Sequence, residues 1–253
     1  MEQYTGIASV YDALNADFDY REYAKFLSAQ IKKYEKASTS LVLDLACGTG
    51  KITFEMRELG YDMTGVDLSE NMLSLAKERS YNENITDILW LCQSMQDFEL
   101  YGTVDACVCT LDSINYLTKT EDLKRCLSLL HNYLIPNGVF VFDVNTPYKF
   151  KNVYGDNSYV LEDDGVLCAW QNEYNEKSKI CKFYLSIFTE NDDGTYSRED
   201  EVQRERCYEK KQLLKMLSDA GFEILSICGD YSGREATDTD ERWYITARNI
   251  KED

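Results

Sequence analysis

An open α/β fold, a parallel sheet covered by helices on both faces, is the class the sequence predicts, and three observations predict it. From Leu41 to Asn145 apolar runs of strand length alternate with segments of helical period. The first run, Leu-Val-Leu-Asp-Leu-Ala at residues 41–46, is apolar almost without alternation, as a strand buried on both faces requires. It opens into a loop with glycines at 48 and 50 and becomes a helix at once. At 253 residues the chain suits one such domain with an insertion, or at most two small domains.

The elements follow in order. Tyr4, Ile7, Tyr11 and Leu14 fall on one helical face, and Tyr20, Tyr23, Ala24, Leu27 and Ile31 on another, which predicts an N-terminal helical cap over residues 1–36. The α/β core is expected over 37–145. It holds a strand at 41–46, a helix closed by Gly60, a strand at 61–68, and a helix with Ser69 as its N-cap. Strands near Ile88 and Val104 follow, then a helix ending before Pro136-Asn137-Gly138, and a last strand, Val-Phe-Val-Phe-Asp-Val-Asn. Between 146 and 208 the period changes to alternation: Val-Leu-Cys-Ala-Trp-Gln-Asn-Glu-Tyr-Asn and Lys-Ile-Cys-Lys-Phe-Tyr-Leu-Ser-Ile-Phe-Thr-Glu are split by Glu-Lys-Ser-Lys, and Asn191 to Gly194 forms a second turn. An antiparallel insertion results. Residues 209–253, one helix and two strands, return to the core sheet.

Composition narrows the function. With 27 Lys and Arg against 45 Asp and Glu, the net charge of −18 repels a phosphate backbone and leaves nucleic acid an unfavoured partner. The same surface gathers cations, which favours an amine substrate, although solubility alone also accounts for it. Nine cysteines without a Cys-x-x-Cys pair, most of them in apolar runs, read as reduced buried thiols, and a single histidine, His131, argues against both a metal centre and a Ser-His-Asp triad. The first thirty residues lack the basic start and apolar run of a signal peptide, and no run is long enough to span a membrane, so a cytoplasmic location is expected.

In an open parallel sheet, ligands bind beyond the carboxyl ends of the strands. Gly48 and Gly50 let backbone approach a ligand there, beside the N–H groups that begin the next helix. The third glycine of a dinucleotide fingerprint is replaced by Thr53, which weakens a nicotinamide reading. Asp44 would repel a pyrophosphate but can pair with an ammonium group. Asp67, nineteen residues after Gly48, ends the second strand where an acid can accept from both ribose hydroxyls, with Leu68 and Met72 as an apolar wall for a purine. Gln93, Ser94 and Met95 can fix the adenine edge.

The motifs Leu-Asp-Leu-Ala-Cys-Gly-Thr-Gly, Gly-Val-Asp-Leu-Ser-Glu-Asn-Met-Leu, Gln-Ser-Met-Gln-Asp-Phe, Thr-Leu-Asp-Ser-Ile-Asn-Tyr-Leu and Pro-Asn-Gly-Val-Phe-Val-Phe-Asp-Val-Asn resemble those of class I S-adenosylmethionine-dependent methyltransferases over roughly the first 145 residues. The N-terminal segment and the β insertion look more like the small-molecule N-methyltransferase branch, which includes glycine/sarcosine and amino-sugar enzymes. The resemblance implies a Rossmann-like sheet and S-adenosylmethionine as cofactor. Asp44 would face the methionyl ammonium, and Ala46, Cys47, Gly48 and Gly50 would pass beneath the methionine. Asp67 would hold the ribose, Gln93 to Met95 the adenine. Tyr11 and Tyr20 match lid tyrosines, while Tyr11 also fits the packed face of its helix.

Leu111 to Tyr116 should lie beside the sulfonium. There Asp112 can attract an ammonium substrate or accept its proton, and Asn115 or Tyr116 can orient the nucleophile. Asp112 fits an N-cap or turn equally well, and in the amino-sugar enzymes a histidine often stands where this chain has Tyr116. From the insertion, Trp170, Tyr174 and Arg204 are candidates for a substrate wall, with strand packing as the other reading. Asp238 to Arg242 reads as surface or as an internal ion pair. The expected reaction is methyl transfer to a small molecule, most simply at an amine nitrogen. An O-methyltransferase, a nucleoside-holding partner subunit without catalysis and an NAD-dependent dehydrogenase are the competing readings. The sequence leaves the methyl acceptor and the oligomeric state open.

Overall fold

The computed structural model describes residue 12 and residues 17–163 and 165–251. The first expected helix, with Tyr11, lies outside the described residues. The second is α1 (Tyr20–Tyr34), capped by Asp19, whose side chain accepts from the Glu22 N–H, and it buries Tyr23, Ala24, Leu27 and Ile31 as its period predicted.

The core alternates strand and helix: β1 (Leu41–Leu45), α2 (Lys51–Glu58), β2 (Asp62–Asp67), α3 (Glu70–Asn82), β3 (Leu89–Cys92), β4 (Val104–Cys109), α4 (Thr120–Tyr133) and β5 (Leu134–Asn145). Ser69 caps α3 by accepting from the Met72 N–H. The chain continues through a π-helical turn at Lys149–Tyr154, then β6 (Ser158–Asp163), β7 (Val166–Asn175), β8 (Ile180–Glu190), β9 (Tyr196–Arg206), α5 (Lys210–Asp219), β10 (Phe222–Cys228) and β11 (Arg242–Asn249).

Seven strands form one sheet in the order β10-β11-β5-β4-β1-β2-β3, and β6 to β9 form a second, antiparallel sheet. Strands β1 to β5 run parallel; β11 is antiparallel to β5 and to β10. The reversal of order between β4 and β2, on either side of β1, leaves a crevice at the carboxyl ends where the connections part. Two details depart from the sequence reading. Strand β5 starts at Leu134 and carries Pro136-Asn137-Gly138 within it as an irregularity, with Asn137 at φ 63°, and the pairing jumps from Val104–Leu134 to Ala106–Val139. Strand β6 was not anticipated, because Ser-Tyr-Val-Leu-Glu-Asp is mostly exposed and lacks apolar alternation.

Apolar side chains fill both sides of the large sheet. Leu43, Leu45, Phe140 and Phe142 pack on one side with α4 and α5, while Val42, Val108 and Val141 pack on the other with α1 and α2. Phe150, Phe183, Leu185 and Ile187 form a separate core beneath the small sheet. All nine cysteines are without disulfides, and Cys92 alone is exposed. Among the described residues no helix is long and apolar enough to cross a membrane.

Candidate active site

A cleft of about 250 Å³ opens at the crevice. Its walls are the segments that leave the parallel strands: Ala46 to Thr49 after β1, Asp67 to Ser69 after β2, Ser94 to Gln96 after β3, and Thr110, Leu111 and Ser113 after β4. Tyr20, Met72 and Tyr116 also line it. Thus Tyr20, Ala46, Cys47, Gly48, Asp67, Leu68, Met72, Ser94, Met95, Leu111 and Tyr116 come together from eleven separately read positions.

The loop after β1 is built around Asp67. One carboxylate oxygen accepts the Gly48 N–H and the other the Ser69 N–H, each at 2.8 Å, so one side chain ties the first two loops together. Burial, the largest influence, raises the pKa of Asp67, and these backbone N–H groups oppose the rise. The two glycines do different work. A Cβ on Gly48 would meet nothing within 4 Å, whereas one on Gly50 would lie 2.5 Å from the Trp90 ring. Gly50 (φ 79°) is therefore a packing glycine outside the cleft lining, and Gly48 is the one that keeps the floor of the cleft open.

Asp44 is fully buried and does not line the cleft. Thr53 donates to one of its oxygens at 2.6 Å, and the other has no hydrogen-bond partner. Burial lifts its pKa to about 7 against the opposing Thr53 hydrogen bond, with Asp67 adding to the rise. Thr53, where a dinucleotide site has its third glycine, is thus the partner of Asp44. At the rim, Asp12 accepts from the Thr49 hydroxyl at 2.8 Å and pairs with Lys51 at 3.1 Å, and the burial of Tyr20, with Asp12 nearby, raises that phenol to about 12.

Several expected side chains are elsewhere. Gln93 accepts the Glu99 N–H at 2.6 Å, closing its own turn, and Gln96 lines the cleft in its place. Asn115 is fully buried; it donates to the Arg206 carbonyl at 2.8 Å and accepts the Asn145 N–H at 3.0 Å, which pins the 3₁₀ turn Ser113–Tyr116 to β9 and β5. Trp170 packs on Tyr154, Tyr159 and Phe183 inside the insertion, as the packing alternative held, because its neighbours on that face are aromatic. Arg204 lies between buried Gln203 and Glu205 on β9 and so faces the opposite side of the sheet.

Asp112 occupies the N-cap position of the 3₁₀ turn without capping it. Its carboxylate instead takes the Arg242 guanidinium at 2.6 Å. Burial alone would raise its pKa, but Arg242 and Lys149 outweigh burial and hold it below the ordinary value. Glu205 shares a hydrogen bond with Asp112 and accepts from Asn145 at 3.0 Å; burial and the neighbouring Asp112 push its pKa far up.

Behind this pair is Asp143, fully buried in the middle of the sheet. It accepts the Leu111 and Asp112 N–H groups, each at 2.7 Å, and also the Tyr23 hydroxyl and the Arg242 guanidinium. Leu111 and Asp112 sit at φ 54° and 55°, a left-handed conformation that ordinary side chains disfavour. Asp143 is what holds this wall of the cleft in that shape. Sequence reading passed over Asp143 and Glu205. Its available signal was a lone acid inside the apolar run Val139–Asn145, the same signal that marked Asp44.

Comparison with known proteins agrees with this geometry. A family model described as a methyltransferase domain matches residues 42–138, from β1 into β5. YqeM of Bacillus subtilis (strain 168), named as a methyltransferase with no substrate in its name, is 31% identical over 249 residues, covering 98% of each chain. The crystal structure of an S-adenosylmethionine-dependent methyltransferase from Clostridium acetobutylicum ATCC 824 matches with a TM-score of 0.88 at 30% identity, over 98% of this chain and 99% of that one. The dTDP-3-amino-3,6-dideoxy-α-D-glucopyranose N,N-dimethyltransferase of Streptomyces fradiae is 25% identical over 238 residues, 91% of this chain and 89% of its own. With a cleft at the carboxyl ends of β1 and β2 and relatives matched along their whole lengths, the chain belongs to the S-adenosylmethionine-dependent methyltransferases of the class I fold.

Proposed function

We propose that the protein transfers the methyl group of S-adenosylmethionine to the amine nitrogen of a small molecule, and that the cleft residues divide the work as follows. The observation that carries the reading is Asp67, placed at the end of β2 with both oxygens already aligned by backbone N–H groups and lone pairs remaining for a ribose diol. The cradle fits the cofactor. Gly48 leaves open the space a Cβ would fill, the exposed Leu68 and the buried Met72 offer an apolar slot for the adenine, and the second oxygen of Asp44 is a buried acceptor without a donor beneath the loop meant for a charged amino acid end. Ser94 and Met95 are assigned to the adenine edge.

When bound, the cofactor supplies a methyl group already attached to a good leaving group. What remains for the chain is to orient an acceptor in line with that methyl and to exclude water, for which positioning alone can provide roughly 7–11 kcal/mol. Tyr20 and Tyr116 are the polar side chains suited to hold an acceptor over the cleft. Asp112, engaged by Arg242, is assigned a supporting role through the shape of its loop rather than that of a free base. The amino-sugar N,N-dimethyltransferase relative and the acidic surface both support an amine acceptor. Methyl transfer by the purified protein across a panel of amino sugars, amino acids, simple amines and carboxylic acids, read by mass spectrometry, tests it. Products confined to the carboxylic acids would overturn the amine reading.

Asp44 supplies a pH test. Its carboxyl, with a pKa of about 7 in the ligand-free protein, is protonated below that value, and an adjacent ammonium would stabilise the ionised form. Binding of S-adenosylhomocysteine is therefore expected to release a proton below pH 7 and to tighten as pH rises from 6 to 8. Calorimetry in buffers of different ionisation enthalpy measures the release; binding with no proton exchange across that range would remove Asp44 from the ammonium site.

A further inference from the structure

The cleft is short of positive charge. Asp67 and Asp122 line it as acids, and Lys51 is the sole lysine or arginine of its lining among the described residues. Residues 1–16 contain neither lysine nor arginine. An α-amino acid carries its ammonium and its carboxylate on one carbon, so a site that holds the first must also accommodate the second close by. Lys51, the first residue of α2, follows the glycine loop directly and is the cation available there to pair with a carboxylate.

That cation is already engaged. One oxygen of Asp12 accepts the Thr49 hydroxyl at 2.8 Å, and the other pairs with the Lys51 ammonium at 3.1 Å. Thr49, buried, and Lys51 both line the cleft, so a carboxylate of the chain itself occupies the donors at the end of the glycine loop. The Lys51 and Asp12 side chains are 33% and 38% exposed, and water can take the place of either partner. An ion pair of this exposure shifts an equilibrium by about fivefold at most.

We propose that the Asp12 carboxylate is an internal stand-in for that of the cofactor: it holds Lys51 and Thr49 and must release them when the amino-acid end of S-adenosylmethionine binds. This rests on the methyl-transfer reading above. Two carboxylates brought to one ammonium repel each other, and with a net charge of −18 the chain offers little to offset that repulsion. The result is a brake on binding. Apparent affinity equals the intrinsic affinity reduced by the fraction of molecules in which Asp12 has let go, and the reduction applies only to ligands that carry a carboxylate.

5′-Methylthioadenosine keeps the adenosine and the sulfur of S-adenosylhomocysteine but lacks the amino-acid end, so the two ligands separate this site from the nucleoside site. Asp12→Asn keeps an oxygen for Thr49 and removes the charge. By titration calorimetry it should bind S-adenosylhomocysteine about fivefold more tightly than the wild type, and 5′-methylthioadenosine within about twofold of it. Lys51→Met should weaken S-adenosylhomocysteine roughly tenfold, the loss of one hydrogen bond to a charged group, and leave the shorter ligand unaffected. In the double variant the gain from Asp12→Asn should disappear, because the competition is for Lys51. An Asp12→Asn protein that binds S-adenosylhomocysteine no more tightly than the wild type overturns the proposal, and weaker binding would make Asp12 a permanent support of the loop instead. An equal change for both ligands, or a Lys51→Met protein with unaltered S-adenosylhomocysteine affinity, overturns it as well. Failure of the wild type to bind either ligand would instead overturn the cofactor assignments on which it rests.

Discussion

Asp67→Ala is expected to bind S-adenosylhomocysteine about a hundredfold more weakly than the wild type, on the scale of two lost hydrogen bonds to a charged acceptor partly replaced by water. The side chain has two functions in the structure, and the substitution removes both. It orders the glycine loop by accepting the Gly48 N–H and it begins the β2-to-α3 turn by accepting the Ser69 N–H. Its remaining lone pairs are those assigned to the ribose. Asp67→Asn separates these contributions, since it keeps one carbonyl oxygen for the backbone and turns the other position into a donor. A loss of roughly tenfold is expected there, about one charge-assisted bond. Titration calorimetry of both variants, with circular dichroism to show that they are folded, makes the comparison. Affinity within threefold of wild type in a folded Asp67→Ala protein would remove Asp67 from the ribose site.

The second large effect is on stability. Asp143→Ala should lower the unfolding free energy by about 3–5 kcal/mol, the range found when one partner of a buried ion pair is removed. Asp143 and Arg242 form that pair in the interior, and Arg242 keeps Asp112 as its other carboxylate partner. Loss of Asp143 also strands the Leu111 and Asp112 N–H groups, which hold a left-handed turn that is strained for those residues. Asp143→Asn retains an oxygen for one of the two N–H groups and should cost less than Asp143→Ala. Urea unfolding of the two variants checks the order. Equal small losses, under about 1 kcal/mol for both, would mean that the turn is held by packing instead.

The same residues show how far reading the chain can go. Strands buried on both faces write continuous apolar runs, and an acid placed inside such a run, as at Asp44 and Asp143, has to have a reason to be there. The order of the core elements and the cleft at the ends of β1 and β2 were legible from those runs, and Asp67 from its place at a strand end nineteen residues after Gly48, whereas Asp143 carried the same signal as Asp44 and was passed over. Gln93 was expected at the adenine, but Gln96 lines the cleft instead. They are three residues apart in one turn, and which of them enters the cleft depends on the Glu99 N–H that captures Gln93. In the insertion, alternation marked β7 and β8 as strands with two faces, but neither that the aromatic face at Trp170 packs on the Tyr154 turn nor that Gln203 of β9 meets Tyr116.

By itself the sequence determined the alternation of strands and helices and the place of the glycine loop and its acid, because these depend on local period and on short-range spacing; the family and the cofactor were legible through the resemblance of its motifs. The tertiary structure decided which polar side chains meet one another: Tyr23, Asp112, Asp143, Glu205 and Arg242 come from five distant segments and form one buried network. Hydrogen bonds and ion pairs act over about 3 Å whatever the separation along the chain, so only the folded arrangement reveals them.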